Sequence, residues 1–247
     1  MSVTAVRRSL LVLLAGSVGL ALLSGCGVEE APAPLTGLVL ASASLPISYQ
    51  VLGATVEDLV SANQQTLKQA ETVDFEPAQC TPTADAEFNP RLDPDNTAVL
   101  VAESDTATLS EVVTTVRRDI DADRRATTGP CRVVTAVPAQ GTLAGARIVT
   151  TSTELPAPTG EAVEQALVLR SDSVTTLAGQ EAQFRVRSAL LATVLVRRPN
   201  GELVTVMLNV GTNDGTVKPA VPDRIEAPMN EDEYRKLVDE AVARAAR

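Results

Sequence analysis

The stretch LLATVLVRRPNGELVTVMLN, residues 190–209, decides the fold of this chain. Two β-rich runs, 190–198 and 203–209, flank the pair Asn200-Gly201. An Asn-Gly pair between β-prone runs is the strongest short-range signal for a β-hairpin, because both residues tolerate the backbone angles of a tight turn. The stretch therefore predicts two antiparallel strands.

The chain before this hairpin carries further β-prone runs, which turn residues separate. Residues 132–137 predict a strand, Gln140-Gly141 a turn and residues 146–152 the partner strand of another hairpin. The Pro-rich residues 154–160 then interrupt the pattern. The other expected strands are 97–103, 164–171, 181–189 and 190–198.

Two stretches predict helices through a capping residue and the spacing of apolar residues. Thr55 caps a helix over residues 56–71, and Asp58 follows the cap three positions later. Asn230 caps a C-terminal helix with acidic residues in its first turn and arginines in its last, as the helix dipole prefers. An apolar stripe predicts that this second helix docks on the sheet: Tyr234, Leu237, Val238, Ala241, Val242 and Ala245.

Several other stretches have weaker patterns. Residues 37–52 predict a strand or an extended lead-in. Residues 81–96, with three prolines and several Asp and Asn, predict a loop. Residues 108–117 fit a helix and a strand almost equally well, and residues 118–126 predict a short helix.

The order of these elements predicts an α+β fold, in which one antiparallel β-sheet is packed by an N-terminal and a C-terminal helix. Aromatic residues make up 2% of the 247 residues, and tryptophan is absent. The core therefore has to be built from Val, Leu, Ile and Ala. The same scarcity argues against a carbohydrate site, because such sites usually offer aromatic platforms to sugar rings.

The start of the chain has the parts of a secretory signal. Arg7 and Arg8 precede an uncharged run of 14 residues, 10–23. This run is too short for a spanning helix, which needs about 20 apolar residues. The sequence LSGC at residues 23–26 resembles a bacterial lipobox, and this resemblance implies cleavage before Cys26 and lipidation of that cysteine. The alternatives are an ordinary signal peptide with an incidental cysteine, another anchor, or a short buried helix.

The lipobox sets the expected domain organisation. Residues 1–25 would be a lipoprotein signal peptide, and residues 26–36 the lipidated cysteine with a disordered tether. Residues 37–247 would form a single extracytoplasmic domain at the cell membrane. Two or three acyl chains, such as palmitate, anchor a protein stably where one chain would not. The membrane is therefore an expected partner through this N-terminal lipid anchor.

Lipidation of Cys26 would leave Cys80 and Cys131 as an even pair in an oxidising compartment. The expected result is a structural disulfide, which we place between the end of the first helix and the sheet. Closing a loop of this length is worth roughly 4 kcal/mol in the chain-entropy model. Two buried free thiols or a redox pair are the alternatives, although redox cysteines usually lie close together in sequence.

The charge balance disfavours nucleic acid as a partner. Without Arg7 and Arg8 the chain has 19 basic and 31 acidic side chains, and so a formal net charge of −12. Nucleic acids and anionic lipid headgroups need a basic footprint, which this composition does not offer. The arginine pairs 124–125 and 197–198 are isolated, and we interpret them as solvated.

The residue types present also disfavour an enzyme. The chain has no histidine, which removes Ser-His-Asp and Cys-His nucleophiles and the usual zinc sites. Asp119, Asp121 and Asp123 have the spacing of the first half of a calcium loop, but Arg124 and Pro130 stand where an EF-hand needs Gly and Glu. We interpret the three acids as a solvated turn, and we expect no catalytic residue, metal or cofactor.

Several short motifs resemble the sensor-type extracellular domains of actinobacteria. They are the segment Val73 to Cys80 after a helix, Ser104-Asp105 after a strand, and Leu109 to Val113. The second cysteine before a strand, the break at residues 155–158 and the terminal helix complete the likeness, which covers about residues 45–246. Such domains occur as stand-alone lipoproteins and as ectodomains of receptor kinases of the PknH type. Those ectodomains have two disulfides, whereas this chain can form one, so we transfer no ligand-binding residues.

Three functions fit these observations. The first is a membrane-anchored, non-enzymatic binding or sensor module of the cell envelope, which recognises a ligand or a partner protein. The second is a carrier that holds a lipid or glycolipid in an apolar cavity between sheet and helix. The third is a structural envelope lipoprotein, which needs neither ligand nor cavity.

Overall fold

The fold is described from a computed structural model, which covers residues 34–81, 84–179, 183–213 and 216–247. The predicted signal peptide, Cys26 and the tether up to residue 33 lie outside the described residues. Within the described ranges, no helix has the length and apolar composition needed to cross a membrane.

The described residues form ten strands and four α-helices. The strands are β1 (Gln50–Leu52), β2 (Val73–Glu76), β3 (Thr97–Glu103), β4 (Ala107–Thr114), β5 (Val133–Pro138), β6 (Arg147–Glu154), β7 (Val163–Thr176), β8 (Phe184–Arg197), β9 (Leu203–Thr212) and β10 (Thr216–Lys218). The helices are α1 (Val56–Ala70), α2 (Ala84–Phe88), α3 (Ile120–Thr127) and α4 (Glu231–Ala245).

All ten strands belong to one antiparallel sheet, with the order β1-β3-β4-β9-β8-β7-β6-β5-β2 and with β10 paired to β8. The predicted α+β fold with one antiparallel sheet is confirmed. The two shortest of the nine ordered strands, β1 and β2, are the two edges, and helix α1 connects them along the chain.

The hairpin at residues 190–209 is confirmed as β8 and β9, but its turn differs from the expected one. Arg197 pairs with Leu203, and the Gly201 amide donates to the Arg198 carbonyl over 2.9 Å. Gly201 has a φ of +83°. The loop therefore has the three-residue form in which the last residue is left-handed, rather than a two-residue Asn-Gly turn.

The C-terminal helix packs as its sequence predicts. Asn230 caps α4 by accepting from the amides of Asp232 and Glu233. The Tyr234 hydroxyl donates to the Leu208 carbonyl over 2.7 Å. All six residues of the predicted stripe are buried against alternate residues of β8 and β9, so this face of the sheet forms the main core.

Helix α1 lies on the opposite face of the sheet and packs much less closely. The predicted cap is confirmed, since Thr55 and Asp58 form a reciprocal capping box. Val56 is the only residue of α1 that is fully buried. Leu59 and Leu67 are only half-buried, so α1 crosses the sheet but buries little apolar surface against it.

The structure decides three of the weak predictions. Residues 108–117 fall mainly in β4 (Ala107–Thr114), and the short helix predicted at 118–126 is α3, capped by Asp119. The loop predicted at 81–96 is wrong in part, because α2 and a 3-10 turn occupy residues 84–91. Phe88 and Leu92 in this segment are buried against Val116, and this tertiary contact outweighs the local turn signals.

The strands predicted as separate runs at 181–189 and 190–198 form one long strand, β8, although residues 180–182 lie outside the described part. The run at 164–171 likewise continues to Thr176 within β7. The predicted hairpin of 132–137 with 146–152 is confirmed as β5 paired with β6. Continuous pairing of β7 with β8 stabilises residues that carry no strong β pattern of their own.

Residues 35–45, here called the N-terminal segment, lie against the main core instead of forming the long strand that 37–52 allowed. Leu38, Leu40 and Leu45 are buried. Arg244 of α4 donates to the carbonyls of Val39 and Gly37. Only Gln50–Leu52 pairs as a strand, at the sheet edge.

The predicted disulfide is present between Cys80 and Cys131, whose Cα atoms are 5.4 Å apart. It joins the 3-10 turn Ala78–Cys80, which follows β2, to the turn Gly129–Arg132, which precedes β5. Both cysteines are buried. The bond therefore links the segment that follows α1 and β2 to the start of β5.

Candidate functional site

A cleft of about 520 Å³ separates α1 from the sheet. We call it the α1 cleft. Its roof is α1, its floor is formed by the central strands, and α2, α3 and the disulfide region close its sides. Residues that line it include Leu59, Asn63, Leu67, Phe75, Phe88, Leu92, Ser110, Val112, Leu167, Leu169, Leu191, Thr193, Met207 and Asn209.

The connectivity of the chain explains why this space exists. Nine strands spaced about 4.8 Å apart would span about 38 Å if the sheet were flat, whereas the 15 residues of α1 extend for about 22 Å. Helix α1 links β1 at one edge of the sheet to β2 at the other, so it crosses this face as a single helix. A single helix of this length covers only part of the face and leaves the rest accessible.

Two rows of side chains form the floor. One row is Ser110, Asn209, Leu191 and Leu169, and the next is Val112, Met207, Thr193 and Leu167. Asn209 is exposed although it lies at the middle of the sheet, and Leu191 and Met207 are half-buried. Apolar and neutral polar groups therefore face the same solvent-accessible space.

The roof presents residues spaced by four on one side of α1. Leu59, Asn63 and Leu67 share a helical face and line the cleft. All three are half-buried, whereas the polar residues Gln64, Gln65, Lys68 and Gln69 of α1 are exposed. The amphipathic pattern of α1 is thus directed at the cleft and not at a packed core.

Arg118 closes one side of the cleft. Its Nε donates to Asp123 at 2.6 Å and its Nη1 to Asp85 at 2.7 Å, and its guanidinium lies 5.1 Å from the centre of the Phe88 ring. Burial disfavours the charged form, but Asp123 and Asp85 outweigh burial and raise the pKa of Arg118. The guanidinium is therefore held charged by protein carboxylates.

The three side chains Asp85, Arg118 and Asp123 are the only charged groups among the described residues that line the cleft. Arg118 pairs with both carboxylates, so the three groups leave one negative charge in excess and no unpaired positive charge in the lining. The cleft therefore disfavours an anionic ligand, and the rest of its lining suits a ligand without charge. Neutral polar groups such as Asn63, Thr193 and Asn209 supply hydrogen-bond donors and acceptors.

Asp119, Asp121 and Asp123 make different contacts in the structure. Asp119 accepts from the Ala122 amide as the cap of α3, and Asp123 pairs with Arg118. Asp121 accepts from Gln165 over 3.4 Å. Across the described residues no group of three or more Cys, Asp or Glu side chains converges as a metal site would.

Of the residues that the sequence singled out, Cys80 and Cys131 lie at the wall of the α1 cleft, and Cys26 lies outside the described residues. Arg197 and Arg125 are exposed, as the sequence predicts, but one member of each arginine pair is not simply solvated. Arg124 donates to the Ala166 carbonyl over 2.8 Å, and the prediction is wrong for Arg198. Arg198 is 4% exposed, and it donates to Glu202 and to the Arg247 carbonyl. This residue ties the β8–β9 turn to the end of α4 and is not solvated.

The sequence reasoning did not predict the cleft as such, although one signal was present. In β8 and β9 the alternate positions 190–196 and 204–210, which pack against α4, are all apolar, whereas the opposite face includes Thr193, Thr205 and Asn209. An apolar stretch on one face and a mixed pattern on the other indicate unequal packing of the two sides.

A second hollow, of about 600 Å³, lies on the α4 side near β10. Its lining includes charges of both signs: Asp105, Lys218, Arg224 and Glu226. Exposed mixed charges of this kind are well solvated and give little reason to bind a ligand. The α1 cleft, with its larger apolar share, is the better candidate.

Comparisons with models of known protein families, with curated proteins and with solved structures found no match for this chain. A functional proposal therefore depends on the residues and the geometry of the chain itself.

Proposed function

We propose that this protein is a membrane-anchored, extracytoplasmic binding module, without catalytic activity, which takes a neutral amphipathic ligand into the α1 cleft. The observation that carries the proposal is the half-exposed apolar lining of that cleft. Leu59 and Leu67 on the roof and Leu191 and Met207 on the floor remain accessible across about 520 Å³.

Half-exposed apolar side chains in a cleft are stabilised when a ligand removes them from water. The sheet buries six residues of α4 on one face but only one residue of α1 on the other. Closing α1 onto the sheet would bury more apolar surface, at about 25 cal/mol per Å². A ligand that enters the cleft recovers this free energy, which is why the gap favours binding over a purely structural role.

The lining also indicates the chemistry of the ligand. The volume falls within the range of roughly 300 to 1,000 Å³ that small-molecule sites occupy. An apolar body would contact the leucines and Met207, and hydroxyl or carbonyl groups would bond to Asn63 and Asn209. A strongly charged ligand would lose hydration without finding an unpaired counter-charge in the lining.

The cellular location of the module is proposed from the sequence. The segment at residues 23–26 supports lipidation at Cys26, and the motifs shared with actinobacterial sensor domains support a place on the outer face of the cell membrane. A lipid anchor of two or three chains would keep the cleft close to the bilayer.

A lipid or glycolipid carrier is the second candidate, and the apolar lining of the cleft is the observation that favours it. A carrier and a sensor differ in occupancy. A carrier retains its lipid through purification, because it transports the lipid through water. A sensor is empty until its ligand is supplied.

The experiment is native mass spectrometry of residues 27–247 purified from an actinobacterial host, followed by organic extraction. A bound neutral lipid of defined mass supports the carrier. A bare protein, lighter by two hydrogens for the Cys80–Cys131 bond, that then binds added neutral amphiphiles supports the sensor module. A bare protein that binds no added amphiphile contradicts the proposal and leaves the structural lipoprotein.

Matched variants place any binding in the cleft. Thr193→Phe fills the floor, whereas Thr175→Phe adds the same ring on the same face of the sheet at a position that does not line the cleft. Both threonines are half-buried. We expect the bound mass to disappear in Thr193→Phe and to persist in Thr175→Phe.

A further inference from the structure

The described residues expose six large apolar side chains, and three of them lie close together at the start of the domain. Ile47 is fully exposed, with a relative accessibility of 105%, and Val51 and Leu52 are 47% and 44% exposed. The other three, at positions 133, 217 and 221, lie in other parts of the chain. The cluster coincides with the sheet edge formed by β1.

The conformation of this segment places Ile47 at a tip. The Tyr49 amide donates to the Pro46 carbonyl over 2.9 Å, which makes residues 46–49 a tight turn with Ile47 at its first central position. β1 follows at once and pairs only with β3 among the described strands. Val51 and Leu52 point to opposite sides of this edge, so the exposed apolar surface follows the edge and not one face.

The charge pattern of the sequence sets the same segment apart. Residues 31–56 form a run of 26 residues without a single charge, in a chain of which 21% is charged. Two acids flank the segment in the fold, namely Glu103, which pairs with Gln50, and Asp105 in the adjoining turn. No basic side chain occurs in the run to attract anionic lipid.

We propose that the edge formed by residues 46–52 contacts a lipid bilayer of low net charge. The proposal rests on the proposed lipid anchor. Cys26 precedes the first described residue, Pro34, by eight positions, and eight residues reach at most about 28 Å. An anchored chain therefore keeps the start of the domain close to the membrane, where exposed apolar side chains without charge are favourable.

The contacting edge also leads towards the α1 cleft. Leu52 pairs with Val101, and Val101 pairs with Ser110 at the margin of the cleft floor. Only the half-buried Val101 separates the exposed edge from the cleft along this row. A ligand of the proposed amphipathic class would thus pass between bilayer and cleft along a neutral surface.

The test uses the full chain, lipidated in its host and reconstituted into phosphatidylcholine vesicles. With Cys26 lipidated and Cys80 disulfide-bonded to Cys131, a cysteine introduced by Ile47→Cys carries the only free thiol, and an environment-sensitive fluorophore is attached to it. Val217→Cys, a position 50% exposed on β10, is the matched control. We expect blue-shifted emission and quenching by nitroxide-labelled acyl chains at position 47, and neither at position 217.

The charge of the vesicles gives a further check. Added phosphatidylglycerol should reduce quenching at position 47 in low salt, and about 0.15 M salt should restore it, because salt shortens the range of the repulsion between the anionic lipid and Glu103 and Asp105.

A protein that floats with the vesicles but shows equal signals at both positions overturns the membrane contact and leaves the anchor intact. A protein that does not float overturns the anchor as well. A blue shift without vesicles that grows with protein concentration assigns the edge to a second copy and also overturns the inference.

Discussion

Glu111 is a fully buried carboxyl where β4, the N-terminal segment and α4 meet. Its Oε2 accepts from the Leu40 amide over 2.6 Å, and its Oε1 has no partner among the described groups. Burial raises the pKa of Glu111 to about 7, Glu240 adds to the rise, and the Leu40 amide and Arg244 oppose it only in part. The carboxyl therefore changes charge near neutral pH while it holds the N-terminal segment in place.

The sign of the pH effect follows from this pKa. The folded state binds the proton more tightly than the unfolded state, in which the pKa of the carboxyl is 4.5. The stabilisation is thus complete below pH 4.5 and is lost as the pH rises through about 7. The full loss is at most about 3 kcal/mol, because one pKa unit corresponds to about 1.4 kcal/mol.

We expect Glu111→Gln to abolish this contribution, since an amide does not ionise. The free energy of unfolding of the variant relative to the natural protein should rise by up to about 3 kcal/mol between pH 4.5 and pH 8. Urea denaturation of both proteins across this range measures the difference and cancels the other titrating groups. A difference that stays constant with pH would contradict the buried, titrating carboxyl.

At the scale of elements, the two long helices differ in what they contribute. Both have 15 residues and both are capped, but α4 buries a complete apolar stripe and α1 buries one residue. Stability is therefore expected to depend on α4, and ligand binding on α1.

Alanine substitutions test this division. Leu237→Ala in α4 removes a buried side chain and should cost about 2 to 5 kcal/mol. Leu67→Ala in α1 removes a half-buried side chain and should cost about 1 kcal/mol, while it weakens retention of a cleft ligand. Denaturant unfolding and native mass spectrometry measure the two effects, and equal losses of stability would mean that α1 is as closely packed as α4.

The disulfide ties the segment after α1 and β2 to the start of the β-rich half. The double variant Cys80→Ala, Cys131→Ala should lose about 4 kcal/mol, because the 51-residue separation no longer restricts the unfolded chain. Guanidinium unfolding with and without reductant measures this loss. The natural protein should fall to the midpoint of the variant on reduction, and a variant with an unchanged midpoint would refute a stabilising bond.

For the whole molecule, unequal packing of the two sheet faces predicts unequal local stability. Amides of α1 should exchange hydrogen through local opening, whereas amides of α4, β8 and β9 should exchange only on global unfolding. A ligand in the α1 cleft should slow exchange in α1 and leave α4 unchanged. Hydrogen exchange with peptide-level mass spectrometry distinguishes the two helices, and identical protection would argue against an independently opening α1.

Local patterns predicted most elements whose signals lie within a few residues. The Thr55 and Asn230 caps, the stripe of α4 and the hairpin around Asn200-Gly201 all depend on neighbours in sequence, and the structure confirms them. The failures occur where distant contacts decide. Residues 84–91 form short helices because Phe88 and Leu92 are buried by Val116, which is more than twenty residues away.

The sequence by itself determined the class of the fold and the helix that packs the main core, because periodicity and capping are local properties. It also indicated the pair of cysteines that form a bond, because Cys26 stands apart in a lipobox-like segment. Only the tertiary structure decided that β1 and β2 are opposite edges of one sheet and that α1 bridges them. Strand order depends on pairings between residues far apart in sequence, which no local pattern encodes. The cleft follows from that order, because a single helix that is shorter than the width of the sheet covers only part of the face that it crosses.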